Sequence, residues 1–147
     1  MCAPMSDTLY EKDIVAWSEQ QAELLRRRSA NALDWDNLAE EIEDVGKSQT
    51  QRVASLLVQA LRHMLKAMAW PDHRDAPTWR ADAFDFRRHA RRRFAPSMRN
   101  DLDIPDLYAD ALAATPKTMD GLPPQCELPP TCPWALDQLL SDDELSP

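Results

Sequence analysis

The stretch from Asp34 to Pro71 constrains this chain more than any other. Asp34 is a good helix N-cap, and no proline interrupts the run until Pro71 forbids a further turn. Residues 35–69 are therefore expected to form one helix, about 52 Å long at 1.5 Å per residue. At 100° per residue, Trp35, Leu38, Ile42, Val45, Gln49, Val53, Leu56 and Ala60 share one stripe. After Val53 the stripe widens to include Leu57, Val58, Leu61, Met64, Leu65 and Met68. The second half should lie inside the fold with neighbours on several sides, and the stripe of the first half should be hidden too.

The other elements follow by the same logic. Thr8-Leu9-Tyr10-Glu11 has the form of a capping box. It predicts a single helix over about residues 9–28, with Tyr10, Ile14, Trp17, Gln21 and Leu24 along one side. Pro77 and Thr78 open a helix to about Arg93, with shorter ones expected over about 96–102 and 104–115. Six of the twelve prolines fall between Pro116 and Pro133, so residues 116–132 read as a Pro-rich strap. Thr131-Cys132-Pro133-Trp134 begins a last short helix to about Leu140. With two glycines in the chain, Gly-rich phosphate loops and tight two-residue hairpins are nearly excluded. The fold class is all-α, an irregular bundle of three main helices with shorter C-terminal helices and the strap. The 147 residues suit a single helical domain, frayed over about 1–7 and 141–147.

Charge is distributed in three blocks: residues 1–50 are net −6, 51–99 net +7 and 100–147 net −9. Internal neutralisation on folding is the simplest outcome, although the basic middle could attract a polyanion locally. The first residues lack the apolar core of a secretory leader, and Val53 to Trp70 is broken by Arg62, His63 and Lys66, so no membrane span is expected. Three cysteines, an odd number, suit a reducing cytoplasm. Cys126 and Cys132, joined by a polyproline-like stretch, lie beyond disulfide reach and are too few for a zinc site.

The residues Leu9-Tyr10-Glu11-Lys12-Asp13 with Trp17, the block from Leu33 to Gly46, Leu61 to Lys66, Trp79-Arg80 and Thr131 to Trp134 together resemble a bacterial family known only as domain of unknown function 29. The similarity covers almost the whole chain. It implies a helical, often single-domain protein, and it brings no catalytic residues.

Chemistry must then be sought in the residues themselves. Asp34, Asp36, Glu40, Glu41, Glu43 and Asp44 crowd eleven positions, but Glu40 and Asp44 point away from the stripe and no Glu-x-x-His accompanies them. A solvated helix face is the favoured reading. Glu41, at the edge of the stripe, is the exception. His63 and Gln49 fall within the stripe and need polar partners. His63 is either a satisfied core histidine or the centre of a metal or acid–base site completed by His73, His89 or Glu41. Arg87, Arg88, Arg91 and Arg92 are the candidates for binding an anion, phosphate or nucleic acid. Their arginines spread around the wheel, however, and pairing with Asp7, Glu11 and Asp13 would neutralise them. No cofactor or metal is expected. The favoured reading is a non-enzymatic cytoplasmic module acting through a protein partner or self-association.

Overall fold

The computed structural model describes residues 8–146, without the side chains of Ile14 and Val15. Asp7, Cys2 and the frayed start expected over residues 1–7 lie outside the described residues. Among the described residues there are six α-helices: α1 (Leu9–Lys12), α2 (Ile14–Arg26), α3 (Trp35–Ala69), α4 (Ala76–Arg93), α5 (Ile104–Ala114) and α6 (Leu136–Leu139). Short 3-10 turns cover Ala30–Ala32 and Pro96–Asn100, and there is no strand among the described residues. The class is all-α. Contacts gather into two units, Met1–Lys47 and Ser48–Pro147.

In the first unit the single helix expected over 9–28 is broken at Asp13. Its carboxylate accepts from the Ala16 amide at 2.9 Å, so Asp13 is an N-cap for α2 and leaves helical geometry at φ −153°. Glu11 returns to the Thr8 amide at 3.2 Å, the reciprocal half of the capping box. Among the described residues of this unit, Trp17 and Gln21 are buried. The Trp17 indole donates to Asp34 at 3.2 Å, and the Gln21 side chain accepts from the Asp34 amide at 2.8 Å. Tyr10 packs edge-on against Trp17, with centroids 4.9 Å apart. These polar bonds reach the start of α3 through its hydrophilic edge, not through its apolar stripe.

That geometry overturns one expectation. Trp35, Ile42 and Val45 are 61%, 70% and 62% exposed. The stripe in this half of α3 is uncovered at these three positions, with Leu38 half-buried between them, because α1 and α2 are held by hydrogen bonds to Asp34 and Glu41, about a quarter turn away.

In the second unit α3 supplies Val53, Leu57, Leu61 and Leu65, all fully buried at successive helical turns. They meet Ala90 of α4, Tyr108 and Ala111 of α5, and Trp134, Leu136 and Leu139 near α6. Each such leucine stabilises the fold by about 1.5–3 kcal/mol. Trp70 and Trp79 form a second cluster with Ala67, Ala69 and Ala76.

The strap has too few regular partners for its carbonyls, as polyproline-like backbone does. Aromatic donors replace them. The Trp70 indole reaches Leu122 O at 3.2 Å and Pro123 O at 3.1 Å, and the Tyr108 hydroxyl reaches Pro129 O at 2.7 Å. The strap also contains a tight two-residue turn of the kind the glycine count had nearly excluded. Met119 and Leu122 exchange 2.9 Å backbone bonds, and Asp120 (φ 50°) and Gly121 (φ 78°) supply the two positive φ angles that primed turns need.

The tail expected to fray from Ser141 is instead held through residue 146. Arg87 binds its carbonyls, and the Trp134 indole donates to Ser146 O at 3.1 Å.

Candidate functional site

Glu41 accepts from the Tyr10 hydroxyl at 2.7 Å. The bond to Glu41 is the main reason the Tyr10 phenol is pushed up to about 12, with partial desolvation and the charges of Glu40 and Asp44 adding to it. Asp34 moves the opposite way. The Asn37 amide at 2.7 Å, aided by the Trp17 indole against some desolvation, holds its carboxyl below the ordinary value. Both acids brace helices in the first unit, and Glu40, Glu43 and Asp44 are exposed.

His63 is half-buried. Its Nδ1 lies 2.8 Å from Gln59 O, a turn earlier in α3, and its ring tilts against Phe86 at 5.3 Å. Nε2 faces Asp82 across 3.8 Å. Gln49 is also half-buried. Among the described residues, no group of three or more His, Cys, Asp or Glu side chains is placed to hold a metal ion.

His73 is tied more tightly than either of these, and sequence reasoning offered it only as a group that could complete a site around His63. Its Nε2 lies 2.8 Å from Asp120, its Nδ1 accepts from the Asp75 amide at 3.1 Å, and its ring stacks on Trp79 at 4.8 Å. With Nδ1 accepting, Nε2 carries the proton and donates to Asp120. The arrangement pins the turn after α3 to the strap. The 47-residue separation of His73 and Asp120 left no local signal.

The arginines of α4 divide. Arg87 is 4% exposed and binds the protein's own backbone. Nε donates to Leu139 O at 2.9 Å, Nη1 to Asp143 O at 3.0 Å, and Nη2 to Gln138 O at 3.0 Å and Ser141 O at 2.7 Å. Burial pushes its guanidinium below the ordinary arginine value, opposed by the charges of Asp142 and Asp143. The Gln138 and Leu139 carbonyls end α6, where a cation suits the helix dipole, and those of Ser141 and Asp143 follow it. Arg91 pairs with Asp142, so the acid that neutralises it comes from the C-terminal segment. Arg88 lies over the Phe84 ring at 5.8 Å, and Arg92 is exposed. The four anion-binding candidates are thus not equivalent, and Arg87 has most of its donors committed.

The feature without an internal explanation is the uncovered row on α3. Trp35, Ile42 and Val45 recur at spacings of seven and three, and the small residues Ala39 and Gly46 lie beside them on the same helical face. A Cβ added at Gly46 would meet nothing within 4 Å. The Trp35 indole is anchored to Ala30 O at 3.1 Å, which fixes the ring while leaving its face open. Among the described residues no helix is long and apolar enough to cross a membrane.

No curated protein matches the chain. Among solved structures it is similar to an alpha-helical protein of unknown function from Rhodospirillum rubrum ATCC 11170. The two share 29% identity over 94% of this chain and 92% of that one, with a TM-score of 0.66. The family model described as Domain of unknown function DUF29 matches residues 9–145, the extent of nearly every element described above. The chain belongs to the DUF29 family.

Proposed function

We propose that this chain is a protein-interaction module whose docking face is the Trp35, Ile42 and Val45 row of α3. Its occupant is an amphipathic helix of another protein, with Lys or Arg beside its apolar side chains. The observation that carries the reading is the exposure of three large apolar residues, each above 60%, on one helical face. Gly46 supports it. A glycine inside a helix costs about 1 kcal/mol relative to alanine. Since a Cβ there would meet nothing within 4 Å, the chain's own packing does not require one. A missing side chain beside Ile42 and Val45 lets an incoming helix come closer to the backbone.

Charge selects the partner. Between Asp36 and Lys47 the helix carries five acids and one base. Two copies meeting face to face would oppose like charges, whereas a basic helix would be attracted.

The test uses two synthetic amphipathic helices, one of Leu and Lys and one of Leu and Glu, titrated into the full chain by calorimetry. The Leu/Lys peptide should bind saturably and the Leu/Glu peptide should not. Ile42→Asp should weaken Leu/Lys binding about tenfold or more, the worth of one buried apolar side chain, although it adds negative charge. Tighter or unchanged binding to Ile42→Asp would mean that electrostatics alone holds the peptide, and the reading would be wrong. Light scattering supplies the other decision: a concentration-dependent dimer abolished by Ile42→Asp would assign the face to a second copy and overturn the choice of partner.

A further inference from the structure

The second unit contains a half-open cavity of about 790 Å³, well within the range of small-molecule sites. It lies between the end of α3, the middle of α4 and the tail after α6. It exists because Ala67, Ala81 and Ala83 line it where larger side chains would fill the gap. Its apolar wall includes Met64, Met68, Phe84, Trp134 and Leu145. Two methionines give that wall the adaptability to mould around a flexible chain.

The polar groups are few and mostly positive. Arg80 and Arg87 line the cavity, with Glu144 the one acid among its lining residues. Arg87 is buried, and its hydrogen bonds go to carbonyls and the Ser141 hydroxyl, not to a carboxylate. Arg80 is exposed and makes a single long bond, 3.4 Å to Pro71 O, with no carboxylate partner among the described residues. A cavity with an apolar body, an uncommitted guanidinium and a second cation in its wall is complementary to an amphiphile with a negative head.

We infer that this cavity binds a medium-chain fatty carboxylate, its hydrocarbon against Met64, Met68, Phe84 and Trp134 and its carboxylate on Arg80. Recognition is by volume and charge, so the head needs no covalent chemistry. Cys126, exposed and lining the same cavity, gives a positional reporter.

The experiment titrates the full chain with dodecanoate below its micelle concentration, with dodecanol and dodecyltrimethylammonium as the neutral and cationic counterparts. Dodecanoate should bind saturably with one site, the cationic amphiphile at least tenfold more weakly. Arg80→Gln should weaken dodecanoate by about five- to tenfold and leave dodecanol unchanged, as for a solvent-accessible charge-assisted pair. Bound dodecanoate should slow alkylation of Cys126 by iodoacetamide without slowing that of Cys132. Ala81→Trp, made from an exposed position, should fill the cavity and abolish binding with the helical circular dichroism retained. Absence of saturable binding, equal binding of the cationic amphiphile, or binding that leaves Cys126 unprotected would each overturn the assignment.

Discussion

Replacing Arg87 by methionine tests the reading that one buried cation fastens the end of the chain. The substitution keeps the unbranched stem of the side chain as far as Nε and deletes its fork of donors. Four carbonyls, of Gln138, Leu139, Ser141 and Asp143, lose the guanidinium donor, and Gln138 O keeps the Ser141 amide and hydroxyl. Gln138 and Asp143 are exposed and can turn to water, but Leu139 is fully buried. An orphaned buried carbonyl costs about 1–3 kcal/mol, and each charge-assisted bond is worth about 1.5–3 kcal/mol before offsets. Removing a desolvated cation returns part of that. The net loss should be about 2–4 kcal/mol, a fall in Tm of roughly 10–20 °C for a unit of this size. Arg87→Lys should recover little, because a single ammonium cannot reach four diverging acceptors. Urea unfolding followed by tryptophan fluorescence measures the loss, and amide exchange over residues 138–146 locates it. A loss below about 1 kcal/mol with unchanged exchange in that segment would refute the clamp.

Three further outcomes are expected. Gly121→Ala should destabilise by about 1–2 kcal/mol in thermal unfolding: its φ of 78° suits a left-handed glycine, and since a Cβ there meets nothing within 4 Å, the whole penalty is in the backbone. An unaffected Tm would mean that the turn readily takes another shape. Trp70→Phe removes the indole that holds Leu122 O and Pro123 O, so amide exchange across residues 119–126 should accelerate, with a cost of about 1 kcal/mol. Asp34 is held below its ordinary value of 3.8, so the stability it contributes is complete above about pH 4 and is lost as pH falls through its depressed folded value. In Asp34→Asn the acid-side decline in Tm should flatten, and an identical decline in both proteins would show that other groups carry it.

How far the sequence speaks depends on how local each determinant is. The limits of α3, Trp35 and Ala69, follow from an N-cap and a proline within two residues of them. The break at Asp13 is also local, but an aspartate inside an apolar period looks like a helix position until its bond to the Ala16 amide is seen. Periodicity placed Trp35, Ile42 and Val45 on one face and could not say whether anything covers it, because cover is a property of other segments. Arg87 is one arginine among six in its helix, and its acceptors are backbone oxygens 51–56 residues away, which carry no side-chain signature. The cavity was the least legible feature, since it is made of what Ala67, Ala81 and Ala83 leave out.

The distance between Arg87 and its acceptors also sets an order of events during translation. At about 5–20 residues per second, some 50 further residues take roughly 3–10 s to emerge from the ribosome. Throughout that interval the α3–α4 hairpin exists without the oxygens that receive its inward cation, and Leu57, Leu61 and Leu65 have no closed core to enter. The nascent polypeptide therefore presents a greasy, unlocked intermediate for several seconds. Binding by a holdase chaperone should concentrate in that window and cease once Asp143 has left the ribosome and can reach Arg87.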